Sequence, residues 1–124
     1  MNTNEVVCVI EDSVPIRKLF VTILKKSGLE TVDFEDGKSS MEWLRNNKCK
    51  GVIMDLLLPD TNGSELLKDI RNLPEGRKIK VIAVTGFAKQ TDREKYLSMG
   101  FDGYITKPVN TAAFPEEVKE ILNK

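Results

Sequence analysis

The chain has 124 residues, with 19 Lys or Arg against 19 Asp or Glu, so its formal net charge is zero. A hydrophobic fraction of 40% beside 31% charged residues suits one domain with one core, spanning 1–124, and excludes a disordered chain. Balanced charge argues against nucleic acid or an anionic membrane as the main partner, and the longest apolar run, Val6–Ile10, is far too short to span a bilayer.

The first segment, Val6–Ile10, is continuously apolar, as a strand covered on both faces should be. Ile16, Leu19, Phe20, Ile23 and Leu24 follow as a helical stripe, with Ser13 as its cap, Pro15 in its first turn and Gly28 at its end. Leu29–Phe34 mixes polar and apolar residues and reads as an edge strand. Lys38–Asn47 predicts a second helix with Met41 and Leu44 inward. Val52–Met54 predicts a third, buried strand, and Ser64–Leu73 a helix that stops before Pro74. Val81–Val84 is a fourth strand, and Thr91–Met99 a short polar helix closed by Gly100. Phe101–Thr106 reads as a second edge strand. Phe114, Val118, Ile121 and Leu122 form the stripe of a last helix, with Pro115 near its start. The order βαβαβαβαβα predicts an α/β fold in three layers, one parallel sheet between two layers of helices.

In such a sheet the ligand site lies beyond the carboxyl ends of the strands, where strand order reverses. Glu11 and Asp12 follow the first strand, Asp55 the third, Thr85 and Gly86 the fourth, and Lys107 and Pro108 the fifth; the second offers nothing comparable. The chain has no histidine, which removes Ser-His-Asp, Cys-His and His-ligated zinc chemistry. Three carboxylates in one crevice resist ionising together unless a cation sits among them, and all-oxygen ligation points to Mg²⁺. With the Lys107 ammonium and the Thr85 hydroxyl, the set matches phosphoryl transfer to a carboxylate. Asp55 stands alone at the end of a buried strand and is the expected nucleophile, whereas Glu11 and Asp12 suit metal binding. Cys8 and Cys49 make no disulfide framework, and a reducing, cytoplasmic setting is expected.

Four pieces of the chain make these residues recognisable: Val9-Ile10-Glu11-Asp12-Ser13, Ile53-Met54-Asp55-Leu56-Leu57-Leu58-Pro59 with Gly63, Ala83-Val84-Thr85-Gly86-Phe87, and Gly103-Tyr104-Ile105-Thr106-Lys107-Pro108. In this order the chain resembles a receiver domain of the two-component response regulators, a CheY-like family. The resemblance implies a flavodoxin-like (βα)5 fold with strand order 2-1-3-4-5. It implies that Asp55 accepts phosphate from a phosphohistidine on a sensor histidine kinase or histidine phosphotransfer protein. Asp12, Asp55 and the Leu57 carbonyl would ligate Mg²⁺, with Glu11 acting through water. Lys107 would pair with the phosphoryl group, Pro108 would follow a cis peptide bond, and Thr85 and Tyr104 would move together as the switch. The surface of the fourth helix, fifth strand and fifth helix would then bind a partner protein in trans. The resemblance makes the chain a signalling protein whose catalysis is confined to its own phosphorylation and dephosphorylation.

Leu57 and Phe87 are apolar where such proteins often carry polar residues, which predicts shielding of the phosphoryl group from water. Gly86 either leaves the approach to Asp55 open or serves a tight turn. Taken singly, each residue has an ordinary explanation as a cap, turn or surface residue; together, at four strand ends, they do not. Other readings are a phosphorylation-independent binding module and an aspartyl-phosphate hydrolase, although the latter expects an Asp-x-Asp after the first strand. Flavin binding is disfavoured because carboxylates at the first turn repel a flavin phosphate.

Overall fold

A computed structural model describes residues 6–86 and 90–124. Five parallel strands, β1 (Val6–Ile10), β2 (Glu30–Phe34), β3 (Gly51–Asp55), β4 (Lys80–Thr85) and β5 (Gly103–Thr106), lie in the order 2-1-3-4-5. Between and after them run α1 (Val14–Lys26), α2 (Gly37–Leu44), α3 (Gly63–Arg71), α4 (Gln90–Met99) and α5 (Phe114–Leu122). The expected α/β architecture and strand order are both present, and the two mixed segments are the two edges.

Alternation along each strand divides the core in two. Cys8, Ile10, Val52, Met54, Val81 and Ala83 face Met41 and Leu44 of α2 and Leu66, Leu67 and Ile70 of α3. Val7, Val9, Ile53, Ile82 and Val84 face Phe20 and Leu24 of α1 and Phe114, Val118 and Leu122 of α5. Each large apolar side chain so buried contributes about 1.5–3 kcal/mol. Phe20 and Phe114 stack at 4.9 Å and join α1 to α5. Between their ends the central strands are apolar because they fill both halves of this core.

Local chemistry sets the boundaries. Ser13 caps α1 by accepting from the Ile16 amide, and Gly28 closes it at φ 97°. α2 begins one residue earlier than its periodicity predicts, because Asp36 caps it through the Ser39 amide. It ends at Leu44 rather than Asn47, since the Asn46 and Asn47 side chains take the Glu42 and Trp43 carbonyls. β5 begins at Gly103 rather than Phe101, where the Asp102 carboxylate is held by the Val81 amide and Arg71. α4 buries little apolar surface, and its Tyr96 meets Phe101 edge-on and stacks on Tyr104. Among the described residues no helix is long and apolar enough to cross a membrane.

Candidate functional site

Strand register brings the site together. β1 and β3 are neighbours, with Ile10 opposite Met54, so the chain leaving β1 at Glu11 and Asp12 runs beside Asp55. On the other side Asp55 lies opposite Val84, and Thr85 lies opposite Thr106, which places Lys107 just past the sheet. The gap between β1 and β3 is also where the chain reverses direction across the sheet, the position expected for a ligand crevice.

Ligand atoms of Glu11, Asp12 and Asp55 all lie within 4.8 Å of one another. Asp12 is exposed, Asp55 half-buried, and Glu11 only 1% exposed. The Lys107 ammonium donates to Glu11 Oε1 at 2.7 Å and to Asp55 Oδ2 at 3.0 Å. The Ser13 amide donates to Glu11 Oε2 and the Leu57 amide to Asp55 Oδ1, at 3.1 and 3.0 Å. Burial raises the Glu11 pKa, and the neighbouring Asp55 charge adds to this; Lys107 and the Ser13 amide offset part of it. Burial acts against the Lys107 charge, yet hydrogen bonds and charges from Glu11 and Asp55 outweigh it and raise that pKa. A single ammonium thus offsets the repulsion of two carboxylates.

Thr85 ends β4 and is 2% exposed, and its carbonyl accepts from the Lys107 amide at 2.9 Å. The Lys107–Pro108 peptide bond is cis, as expected. Tyr104 lies inward and 5% exposed, its ring 5.8 Å from that of Tyr96 and its hydroxyl buried with no partner among the described residues. Leu57 is 56% exposed beside Asp55. A Cβ added at Gly86 meets nothing within 4 Å among the described residues, and the residue is exposed. Phe87 lies outside the described residues.

Sequence reasoning missed Arg17. It donates to the Glu11 carbonyl at 2.8 Å and pairs with Asp33 of β2 at 3.1 Å. The Phe34 carbonyl, also of β2, accepts from the Glu11 amide at 3.0 Å. The second strand therefore supports the acidic loop without lending it a ligand atom. The available signal was an arginine one turn into α1, which only the strand order connects to Asp33.

A sequence model of the response regulator receiver domain matches residues 7–119. The chain belongs to the response regulator receiver family. It is 34% identical over 116 residues to the polar-differentiation response regulator DivK of Brucella anthropi, covering 94% of each protein. It is 30% identical to a CheY-like receiver domain protein from Methanospirillum hungatei JF-1, with a TM-score of 0.85 over 96% of this chain and 94% of that one. A CheY-like receiver domain from Methylobacillus flagellatus is 28% identical, with a TM-score of 0.83 over 94% of this chain and 98% of that one. As a receiver, the chain is a phosphoacceptor signalling module of the two-component type. The carboxylate cluster, the buried threonine and the lysine after β5 lie in this receiver at the end of the sheet where the crevice opens.

Proposed function

We propose that Asp55 is the phosphoacceptor of this receiver and that Lys107 and Thr85 hold the transferred group. The observation that carries this reading is the Lys107 ammonium, 3.0 Å from Asp55 and 2.7 Å from Glu11. It places a fixed positive charge where the oxygens of a phosphoryl group on Asp55 would lie. An Asp55 carboxylate oxygen attacks phosphorus, the P–N bond of a phosphohistidine breaks, and its electron pair returns to the imidazole. The product is an acyl phosphate on Asp55 and a free histidine on the donor, a sensor histidine kinase or a histidine phosphotransfer protein.

The donor set fits a hard divalent cation, being all oxygen and excess negative charge. Asp12, Asp55 and the Leu57 carbonyl would hold Mg²⁺, with Glu11 acting through water, and the bound ion would neutralise phosphoryl oxygens during transfer. Lys107 then exchanges carboxylate for phosphoryl contacts, and Thr85 turns its hydroxyl to the new charge. Tyr104, expected to turn inward with Thr85, is already inward at 5% exposed. The α4, β5 and α5 surface is the proposed output, read by a partner protein in trans. α4 suits this role because it buries little apolar area. The proposed setting is the cytoplasm, the proposed unit one domain spanning 1–124, and its only catalysis its own phosphorylation and dephosphorylation.

Acetyl phosphate with Mg²⁺, read by intact mass, tests the assignment. One phosphoryl adduct is expected, absent in Asp55→Asn and reduced when the metal is chelated. An adduct that persists in Asp55→Asn overturns it.

A further inference from the structure

At the opposite end of the sheet the structure contains a second concave surface. A groove of about 680 Å³ lies between the segment that follows α2, the α3–β4 connection and the end of α5. Its volume is within the range of ligand sites. Arg45, Lys48, Lys50, Lys78 and Lys80 line it, and Glu75 is the one carboxylate among its described lining residues. Glu75 is shared by Lys48 at 3.5 Å and Lys78 at 3.1 Å. Setting aside Lys50, whose ammonium donates to Asn123, four cations against one anion among the described lining residues is a strong local excess on a chain whose net charge is zero. Lys48 and Lys78 are 73% and 80% exposed, so their charges are presented to solvent. Between the cations, half-buried Leu73 and Ile79 supply an apolar floor.

The groove is separate from the carboxylate site. Lys50 precedes β3 and Lys80 begins β4, whereas Asp55 ends β3. Four residue steps along an extended strand separate Gly51 from Asp55 by roughly 13 Å. The groove's features also narrow its occupant. No aromatic residue is among its described lining residues, which leaves them without the stacking platform that nucleotides and single-stranded nucleic acid use. Leu44, Cys49 and Leu122 are at most 9% exposed, so among the described lining residues they offer little apolar surface to an acyl chain. What remains complementary is a chain segment carrying several carboxylates around one or two apolar side chains.

We infer that this groove docks an acidic segment of a partner protein, with Leu73 and Ile79 receiving an apolar side chain and the surrounding cations its carboxylates. Because the groove and Asp55 lie at opposite ends of the sheet, docking tethers the partner whether or not Asp55 is phosphorylated.

A random library of 12-residue peptides, selected on the immobilised full chain, tests this. Enriched peptides are expected to carry excess Asp and Glu around Leu, Ile, Val or Phe. Their affinity should fall at least tenfold in Lys48→Glu/Lys78→Glu/Lys80→Glu and less in the corresponding triple Gln variant. It should fall again on raising salt to 0.5 M and stay unchanged in Asp55→Asn. Both triple variants should still take one phosphoryl adduct from acetyl phosphate, which shows that they fold. Failure to enrich peptides, enrichment of neutral or basic ones, or equal binding to the Glu variant overturns the inference. So does loss of binding in Asp55→Asn, displacement by single-stranded DNA at equal charge, or occupation of the groove by a second copy of the chain.

Discussion

Lys107 touches two carboxylates, and the one at 2.7 Å, Glu11, is almost wholly removed from water. Removing the ammonium leaves that carboxylate buried with the Ser13 amide as its remaining hydrogen-bond donor among the described residues. Lys107→Met is expected to lower unfolding free energy by about 1–3 kcal/mol, the usual cost of an unsatisfied buried polar group. Lys107→Met with Glu11→Gln should recover much of this loss, because the uncompensated charge goes as well. Urea unfolding of the two variants without divalent metal checks both outcomes. Leu57 belongs to the same scale. Its apolar side chain is 56% exposed two residues beyond Asp55, where shielding of the phosphoryl group from water is the expectation to be tested. The phosphoaspartate of the unaltered chain is expected to outlive that of Leu57→Asn/Phe87→Glu, and adduct decay after donor removal measures this.

Helix ends are where side chains decide an element's extent. Asp36 accepts from both the amide and the hydroxyl of Ser39, which lowers its pKa below the usual 3.8. A depressed carboxylate contributes stability above its unfolded pKa and loses it as pH falls through the folded one. Asp36→Ala should therefore cost about 1 kcal/mol near neutrality. The difference from the unaltered chain should close as pH falls below about 3.8, in chemical unfolding followed by circular dichroism. The cap was invisible to periodicity, because Asp36 and Gly37 lie outside the apolar stripe that Met41 and Leu44 define. The residue types of Asp60-Thr61-Asn62-Gly63 suit a turn into a helix, and Asn62 caps α3. The reach of Asp60 was not: its carboxylate accepts from the Gly37 and Lys38 amides at 2.9 and 2.8 Å and so secures a different helix. Arg71 is a similar case, bonding the Gly76, Ile79 and Gly100 carbonyls and the Asp102 carboxylate across distant turns. Short-range patterns reveal elements and their order. Contacts that depend on which strands are neighbours need the sheet itself. The carboxylates, threonine and lysine of the site were legible because each occupies the same relative place, at or just beyond the end of a strand, and needs no knowledge of packing. Arg17 and Asp33 lack that common position.

At the scale of the whole molecule the two cysteines report on the core. Burial, joined by the nearby Cys49 and Asp33, raises the Cys8 thiol pKa, and burial raises that of Cys49 to about 12 from the ordinary 9.0. In the native chain both should resist alkylation at pH 8, and both should react together when urea exposes the core; mass spectrometry after iodoacetamide distinguishes these states. A thiol with a raised folded pKa contributes stability that is intact below its unfolded value and is lost as pH rises. Unfolding free energy should accordingly decline between pH 9 and about 12. The placement of charge has a different consequence. Glu11, Asp12 and Asp55 occupy one end of the sheet and the cations around Leu73 and Ile79 the other. On a molecule of zero net charge these two clusters contribute a dipole component along the strands. A positively charged partner surface turns it acidic end first before contact, so that encounter is oriented as well as accelerated. Added salt, by shortening the range of that torque, slows productive collision even though no net attraction exists to be screened.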